Sequence, residues 1–185
     1  MYFNSPGPEN TVETAIIAVK EAVARQISHI VAASNTGATV LALAEEAKKQ
    51  GYNGKLICVS SAYGFNGNGE NELSSETREE LEKQGIKVCT AAHVLSGAER
   101  GLSTKFQGVF PVEIIAHSLR MFSQGTKVCV EISVMALDAG IVPWGKPIIA
   151  MAGSSSGSDT ALLLTPAYAS NIMETRIHEI ICKPR

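Results

Sequence analysis

The sequence predicts an α/β protein, a three-layer α/β/α sandwich in which a mostly parallel sheet lies between two layers of helices. Two observations predict this fold. Apolar runs of about four to six residues alternate with helical patterns of about ten to fifteen, which is typical of βαβ units. The chain has 185 residues, 45% apolar and 18% charged, without an internal repeat or a linker. We therefore expect a single domain over residues 1–185.

The first half of the chain predicts helices and strands in alternation. The first helix covers residues 10–26, with Asn10 or Thr11 as its N-cap and Glu13 placed to complete a capping box. The pattern then predicts a strand at 29–34, a helix at 38–50 and a strand at 55–61.

The second half of the chain also alternates helical and strand patterns, but less regularly. After a loop at residues 62–72 come a helix at 74–85 and a strand at 86–93, and an irregular glycine-rich stretch then runs to about residue 108. The remaining pattern predicts a helix at 112–125, a strand at 127–131, a helix at 132–140, a strand at 146–153, and a terminal pair of strands at 160–167 and 177–184.

Composition excludes several classes of protein. The net charge is −2 and the basic residues are scattered, so we expect no nucleic-acid partner. No apolar stretch reaches the roughly 18 residues of a membrane span, and the N-terminus lacks a signal-peptide pattern, so a cytoplasmic protein is expected. Each of the four cysteines lies in a strand-like apolar run without a Cys-x-x-Cys pair, which favours core packing over metal binding; they are Cys58, Cys89, Cys129 and Cys182.

The stretch "SNTGAT" joins the strand at 29–34 to the helix at 38–50. Amides in the first turn of a helix have no intrahelical acceptor, and together with the helix dipole they favour an anion. Hydroxyls add donors, and Gly37 allows close approach of a ligand. The alternative is a simple turn in which Thr36 caps the helix. The candidate residues are Ser34, Asn35, Thr36, Gly37, Ala38 and Thr39.

Residues 62–72 form the most loop-like stretch, with three glycines and three asparagines in eleven positions. They follow a strand that ends in Ser60 and Ser61, and open α/β sheets bind ligands at the carboxyl ends of their strands. The loop is therefore either a mobile surface loop or a ligand lid. Tyr63, Gly64 and Phe65 are its candidate contact residues.

The stretch "AGSSSGSDT", residues 152–160, follows the predicted strand at 146–153. Its small residues offer free amides and hydroxyls that could wrap a phosphate or a polyol. The same composition also suits a hairpin turn. The candidate residues are Gly153, Ser154, Ser155, Gly157 and Asp159.

Two further side chains could carry chemistry. Glu131, at the end of the predicted strand at 127–131, could cap the following helix, orient a polyol or act as a general base. His93 ends the predicted strand at 86–93 and could contact a ligand or carry a proton. The sequence contains no Gly-x-Ser-x-Gly motif, so it offers no nucleophile of that class.

The stretch "HIVAASNTGATVLALAEEAKKQGYNGKLICVSS" is similar to the C-terminal domain of pyruvate kinase. There a Ser/Thr-rich turn grips a phosphate of the allosteric sugar bisphosphate, which implies the same role for Ser34, Thr36, Gly37 and Thr39. Ala38 departs from the basic residue that some kinases carry at that position. The resemblance implies no pyruvate kinase activity, because the barrel domain with the catalytic lysine and the metal ligands has no counterpart here.

A closer resemblance covers nearly the whole chain. The features "PGPENTVET", "VAASNTGAT", "GTKVCVEISVMALDAG", "AGSSSGSDTALLLTPA" and "IHEIICKPR" resemble the stand-alone proteins related to that domain. This resemblance implies binding of flavin mononucleotide (FMN). The phosphate is expected at Ser34 to Thr39, the ribityl chain at Ser60, Ser61 or residues 153–158, and the ring against Tyr63, Phe65, His93 or Met135.

The sequence does not determine the reaction, and it is compatible with three functions. A flavin-dependent oxidoreductase is one expectation. A non-catalytic sensor of a phosphorylated metabolite, such as a sugar phosphate or a nucleotide, is the second. An oligomerisation module without ligand is the third, and a homo-oligomer is compatible with all of them.

Overall fold

A computed structural model describes residues 1–67 and 69–185 of the chain. Asn68, which belongs to the predicted loop at residues 62–72, lies outside the described residues. The helices are α1 (Thr11–Ala24), α2 (Ala38–Lys49), α3 (Ser75–Lys83), α4 (Gly97–Phe106), α5 (Pro111–Arg120) and α6 (Gln124–Asp138). The strands are β1 (Tyr2–Phe3), β2 (His29–Ala33), β3 (Lys55–Ser60), β4 (Lys87–Thr90), β5 (Ile148–Ala152), β6 (Thr160–Thr165) and β7 (Arg176–Pro184).

The strands form one mixed sheet with the order β1-β7-β6-β5-β2-β3-β4. Strands β2, β3, β4 and β5 are parallel to one another, whereas β6 is antiparallel to both of its neighbours. From β2 the chain proceeds outward to β3 and β4 and then returns to the other side of β2 as β5. This reversal makes the gap between β2 and β5 a topological switch point, where open α/β sheets bind ligands.

Side chains alternate between the two faces of the sheet, as the period of a strand requires. In β2, Ile30 and Ala32 join a core with α1, α2 and α3, while Val31 joins a second core with α5 and α6. The predicted α/β fold with flanking helices and a mostly parallel sheet is therefore confirmed. The predicted terminal pair of strands is confirmed as β6 and β7, which are antiparallel.

The predicted strand at 127–131 is wrong, because these residues lie within α6. Ser123 caps the helix, its Oγ accepting a hydrogen bond from the amide of Thr126 at 2.9 Å. Twelve of the fifteen residues of α6 are buried. A helix buried on nearly every side has no continuous polar stripe that faces solvent, so it lacks the period that distinguishes it from a strand, which explains the error.

Other boundaries also differ from the prediction. The helix predicted at 112–125 ends at Arg120, and a short break precedes α6. The irregular stretch before residue 108 contains α4. Asn10 is the N-cap of α1 but makes no side-chain capping bond, so the predicted capping box is wrong; its Nδ2 donates instead to the carbonyl oxygens of Ser5 and Gly7.

All four cysteines are buried, as expected for core packing, although Cys129 lies in α6 and not in a strand. Among the described residues, no helix combines the length and the apolar character needed to cross a bilayer.

Candidate functional site

A cleft of about 790 Å³ lies at the carboxyl edge of the sheet. Segments that follow β2, β3, β4 and β5 line it, together with the N-terminal part of α1 and one face of α6. The position is the switch point between β2 and β5, and the volume is within the range of about 300–1,000 Å³ typical of small-molecule sites. We take this cleft as the candidate functional site.

The turn between β2 and α2 forms one wall. Ser34, Asn35, Thr36, Ala38 and Thr39 line the cleft, whereas Gly37 does not. Gly37 is the N-cap residue, with a φ of 92°, and it makes no side-chain cap. The alternative in which Thr36 caps the helix is therefore wrong.

Gly37 is required for two reasons. Its positive φ is a conformation that other residues adopt at a cost. A Cβ at this position would also lie 2.7 Å from Cγ2 of Thr77. Gly37 therefore sets the backbone conformation of the turn on the side that packs against Thr77, and it does not line the cleft.

The start of α2 presents unused hydrogen-bond donors. Ser34 Oγ accepts from the amide of Val40 at 3.3 Å, so this side chain already satisfies one amide of the first turn. Within residues 1–67 and 69–185, the amides of Ala38 and Thr39 have no such partner. These amides, with the positive end of the helix dipole, favour an anion.

The loop between β5 and β6 forms a second wall. Gly153, Ser155 and Gly157 line the cleft, as does Ser156, whereas Ser154 does not. The loop packs closely on the N-terminal segment, since a Cβ on Gly157 would lie 2.4 Å from Thr11 Oγ1. The predicted contact loop is thus folded against the N-terminal segment.

Asp159 has a different role from the one expected. The side chain is fully buried and does not line the cleft. Its Oδ2 accepts from the amide of Gly7 at 3.2 Å and its Oδ1 accepts from Thr160 Oγ1 at 2.8 Å. Because both oxygens are engaged within the protein, its predicted ligand contact is corrected to a structural one.

Helix α6 forms the third wall and carries a buried ion pair. Lys127 Nζ lies 2.5 Å from Glu131 Oε2, and both side chains are 6% exposed. The other oxygen of Glu131 accepts from the amide of Leu95 at 2.9 Å. Glu131 lines the cleft as predicted, but it lies inside a helix with both oxygens engaged, so it neither caps a helix nor ends a strand.

An aromatic pair contributes to the lining of the cleft. The rings of Phe65 and His93 meet edge to face with centroids 4.9 Å apart, and both residues line the cleft. Tyr63 is 64% exposed, and neither it nor Gly64 lines the cleft. Phe65 and Glu72 are thus the residues of the predicted loop that line the cleft, among those that the structure describes.

Burial lowers the pKa of His93 below its ordinary value of 6.5. The nearby Glu131 carboxylate raises this pKa, and the Lys127 ammonium lowers it. Burial and Lys127 together outweigh the carboxylate, so the neutral imidazole is favoured. His93 follows β4 by three residues and does not end the strand as predicted.

The ends of the strands supply the remaining predicted residues. Ser60 and Ser61 are buried and line the cleft. Ser60 Oγ is 2.6 Å from Thr90 Oγ1, so neighbouring strands are linked at this edge. Met135 of α6 is also buried and lines the cleft.

Sequence reasoning missed several residues of the cleft. Arg100, Arg120 and Lys127 bring positive charge, against Glu72 and Glu131. Pro8, Thr11, Ser96, Gln124, Val128, Ile132 and Ser156 also line it. One face of α6 carries positions 124, 127, 128, 131, 132 and 135. This helical pattern was not recognised because a strand was predicted at 127–131. No cluster of potential metal ligands occurs in the described part of the chain.

The chain matches a known protein family, and that family agrees with this architecture. Residues 13–164 match the family described as pyruvate kinase, alpha/beta domain. A structure of Cryptosporidium parvum pyruvate kinase in complex with ADP is similar with a TM-score of 0.41 and 16% identity, covering 83% of this chain and 22% of the kinase. Another structure of that organism's pyruvate kinase gives a TM-score of 0.38 and 15% identity, covering 76% and 20%. The chain thus spans about a fifth of the length of these kinases.

Proposed function

This chain belongs to the pyruvate kinase alpha/beta domain family, and we propose that it binds a phosphorylated small molecule, FMN, in the cleft at the carboxyl edge of its sheet. The phosphate is bound at the start of α2, by the segment from Ser34 to Thr39. The single observation that carries the proposal is that, within the described residues, the amides of Ala38 and Thr39 have no acceptor, and both residues line a cleft of about 790 Å³.

Phosphate suits this turn for physical reasons. Within the part of the chain that the structure describes, the amides of Ala38 and Thr39 have no acceptor, and the hydroxyls of Thr36 and Thr39 add donors. The dipole of α2, a helix of twelve residues, adds positive potential at the same point. A dianionic phosphate can accept all of these bonds at once, whereas an apolar ligand would leave them unused.

The rest of the cleft fits the other parts of FMN. Serine hydroxyls and loop amides at two strand ends suit a ribityl chain, and apolar side chains with the Phe65–His93 pair suit a flat aromatic ring. The residues concerned are Ser60, Ser61, Ser155, Phe65, His93, Ile132 and Met135.

Thermal unfolding in the presence of candidate ligands tests this proposal. A ligand at one hundred times its dissociation constant adds about 2.7 kcal/mol of stability. For a domain of this size, that gain corresponds to a rise in Tm of roughly 5–11 °C. We expect the rise with FMN, and a smaller one with riboflavin, which lacks the phosphate. If a sugar bisphosphate or ADP stabilises the protein and FMN does not, FMN is the wrong ligand.

A non-catalytic sensor is the second candidate function. The donors at Ser34 to Thr39 recognise a phosphate whatever is attached to it, so a sugar phosphate or a nucleotide could fill the same turn. The two functions differ in redox behaviour. An oxidoreductase that carries FMN should be bleached by a reduced nicotinamide without oxygen present, whereas a sensor should leave any bound flavin oxidised.

A further inference from the structure

Lys127 is a buried cation at a ligand cleft. The residue is 5% exposed overall and lines the cleft from α6. Its ammonium has three N–H donors, and one of them binds Glu131. No other acceptor for Lys127 occurs in the described ranges, residues 1–67 and 69–185. A buried charge with spare donors requires an acceptor, supplied by water or by a ligand.

A phosphate is proposed to bind the turn from Ser34 to Thr39. The position of Lys127 relative to this turn limits which part of a ligand can accept its hydrogen bond. The start of α2 belongs to the helix layer on one face of the sheet, and α6 belongs to the layer on the other face. A ligand held by its phosphate at α2 must therefore cross the edge of the sheet to reach α6. Lys127 therefore lies in the layer on the opposite face of the sheet from the start of α2.

The surroundings of Lys127 strengthen its interactions. Ile132 and Met135 lie on the same face of α6 and are 4% exposed. Lys127 and Glu131 are themselves only 6% exposed, and the exclusion of water lowers the local dielectric and makes a charge-assisted hydrogen bond stronger than it is in water. Glu131, fixed by the amide of Leu95, holds the ammonium in place.

We propose that Lys127 donates a hydrogen bond to the N1–C2=O edge of the flavin ring and stabilises the two-electron-reduced form over the oxidised form. This inference rests on the proposed binding of FMN. The N1–C2=O edge offers the carbonyl and ring-nitrogen acceptors that an ammonium needs. Negative charge grows there on reduction, so a cation near N1 favours the reduced cofactor.

The test uses the full chain and purified FMN. Replacing Lys127 alone would leave Glu131 as an unpaired buried charge, which is strongly destabilising. The double variant Lys127→Met with Glu131→Gln removes both charges and keeps an oxygen that can accept from Leu95. The matched control is Lys83→Met with Glu79→Gln, a pair with the same i,i+4 spacing on α3 that is exposed.

The readout is the midpoint potential of bound FMN, from anaerobic titration with dithionite. We expect the cleft double variant to weaken binding of reduced FMN about tenfold relative to oxidised FMN, which lowers the potential by about 30 mV for a two-electron couple. The α3 control should match the wild type. If wild type binds FMN and both variants share its potential, the role of Lys127 is wrong and FMN binding stands. If wild type binds no FMN, both proposals are wrong.

Discussion

The carboxylate of Asp159 accepts a hydrogen bond from the backbone amide of Gly7 at 3.2 Å, joining two positions 152 residues apart. The bond fastens the N-terminal segment, whose Pro8 and Thr11 line the cleft, to the loop after β5. Thr11 reinforces it by accepting from the amide of Ser158 at 3.0 Å. One wall of the cleft therefore depends on contacts between the N-terminal segment and the loop that joins β5 to β6.

Replacing Asp159 with alanine should destabilise the protein. The change leaves the buried amide of Gly7 and the hydroxyl of Thr160 without their acceptor, at a cost of about 1–3 kcal/mol. Urea unfolding measures the loss. The control is Asp138→Ala, because Asp138 is exposed although it also accepts from an amide, that of Ala169. Equal losses for the two variants would contradict the role given to Asp159.

Gly37→Ala should disturb the turn from Ser34 to Thr39, where the phosphate is proposed to bind. The positive φ costs an alanine roughly 1–2 kcal/mol, and the added methyl group would lie 2.7 Å from Thr77 Cγ2. Gly51→Ala is the matched control, since Gly51 follows the other end of α2 with a φ of 67° and nothing within 4 Å of its Cβ position.

Both variants should lose some stability, but only Gly37→Ala should weaken FMN binding, as measured by flavin fluorescence at a temperature where each variant is folded. If neither glycine variant changes binding, the turn does not hold the ligand. The interpretation as an oligomerisation module would then gain support.

Stability should fall in mildly acid solution because of two histidines. Burial lowers the pKa of His93 and of His29, and Lys55 lowers that of His29 further. The unfolded chain then binds protons more readily than the folded one at a pH below about 6.5. The stabilisation from neutral histidine is complete above that pH and is lost as the pH falls from there through the folded pKa.

Urea unfolding across this pH range checks the prediction. His93→Gln and His29→Gln should each flatten the dependence of unfolding free energy on pH, because glutamine does not titrate. If the unfolding free energy of both variants depends on pH as steeply as that of the wild type, groups other than these two histidines cause the dependence.

The cysteines should be inert in the folded protein. Burial raises the pKa of Cys58 to about 12 and that of Cys182 to about 11, and it raises those of Cys89 and Cys129 as well. A thiol reacts as its thiolate, so a disulfide reagent at neutral pH should find no fast-reacting group. All four should react in guanidinium. A fast-reacting thiol in the native protein would show that one of them is accessible.

The sequence predicted the fold well where local patterns and burial agree. Strands such as β2 and β5 are short apolar runs bounded by turns, and α2 has both an apolar and a polar face. The prediction failed for α6, since its burial on nearly every side removes the polar face by which a helix is recognised.

The failure at α6 also limited the prediction of the site. The sequence indicated the segments after β2, β3 and β5, because loops that follow parallel strands meet at one edge. The sequence could not indicate Lys127 as a cleft residue, because a strand at 127–131 would orient this side chain differently from a helix. Asp159 was assigned to the ligand because its partner, Gly7, lies too far away in the sequence for any local pattern to reveal.

Equilibrium binding of FMN and riboflavin to the purified protein tests the phosphate site at Ser34 to Thr39 most directly. We expect wild type to bind FMN at least about tenfold more tightly than riboflavin, a difference of about 1.4 kcal/mol. The variant Thr36→Val with Thr39→Val, which removes two hydroxyls at nearly constant volume, should reduce this ratio. If wild type binds neither flavin, the proposed binding of FMN is wrong. If the ratio is the same in the variant, the phosphate of FMN is not held at the start of α2.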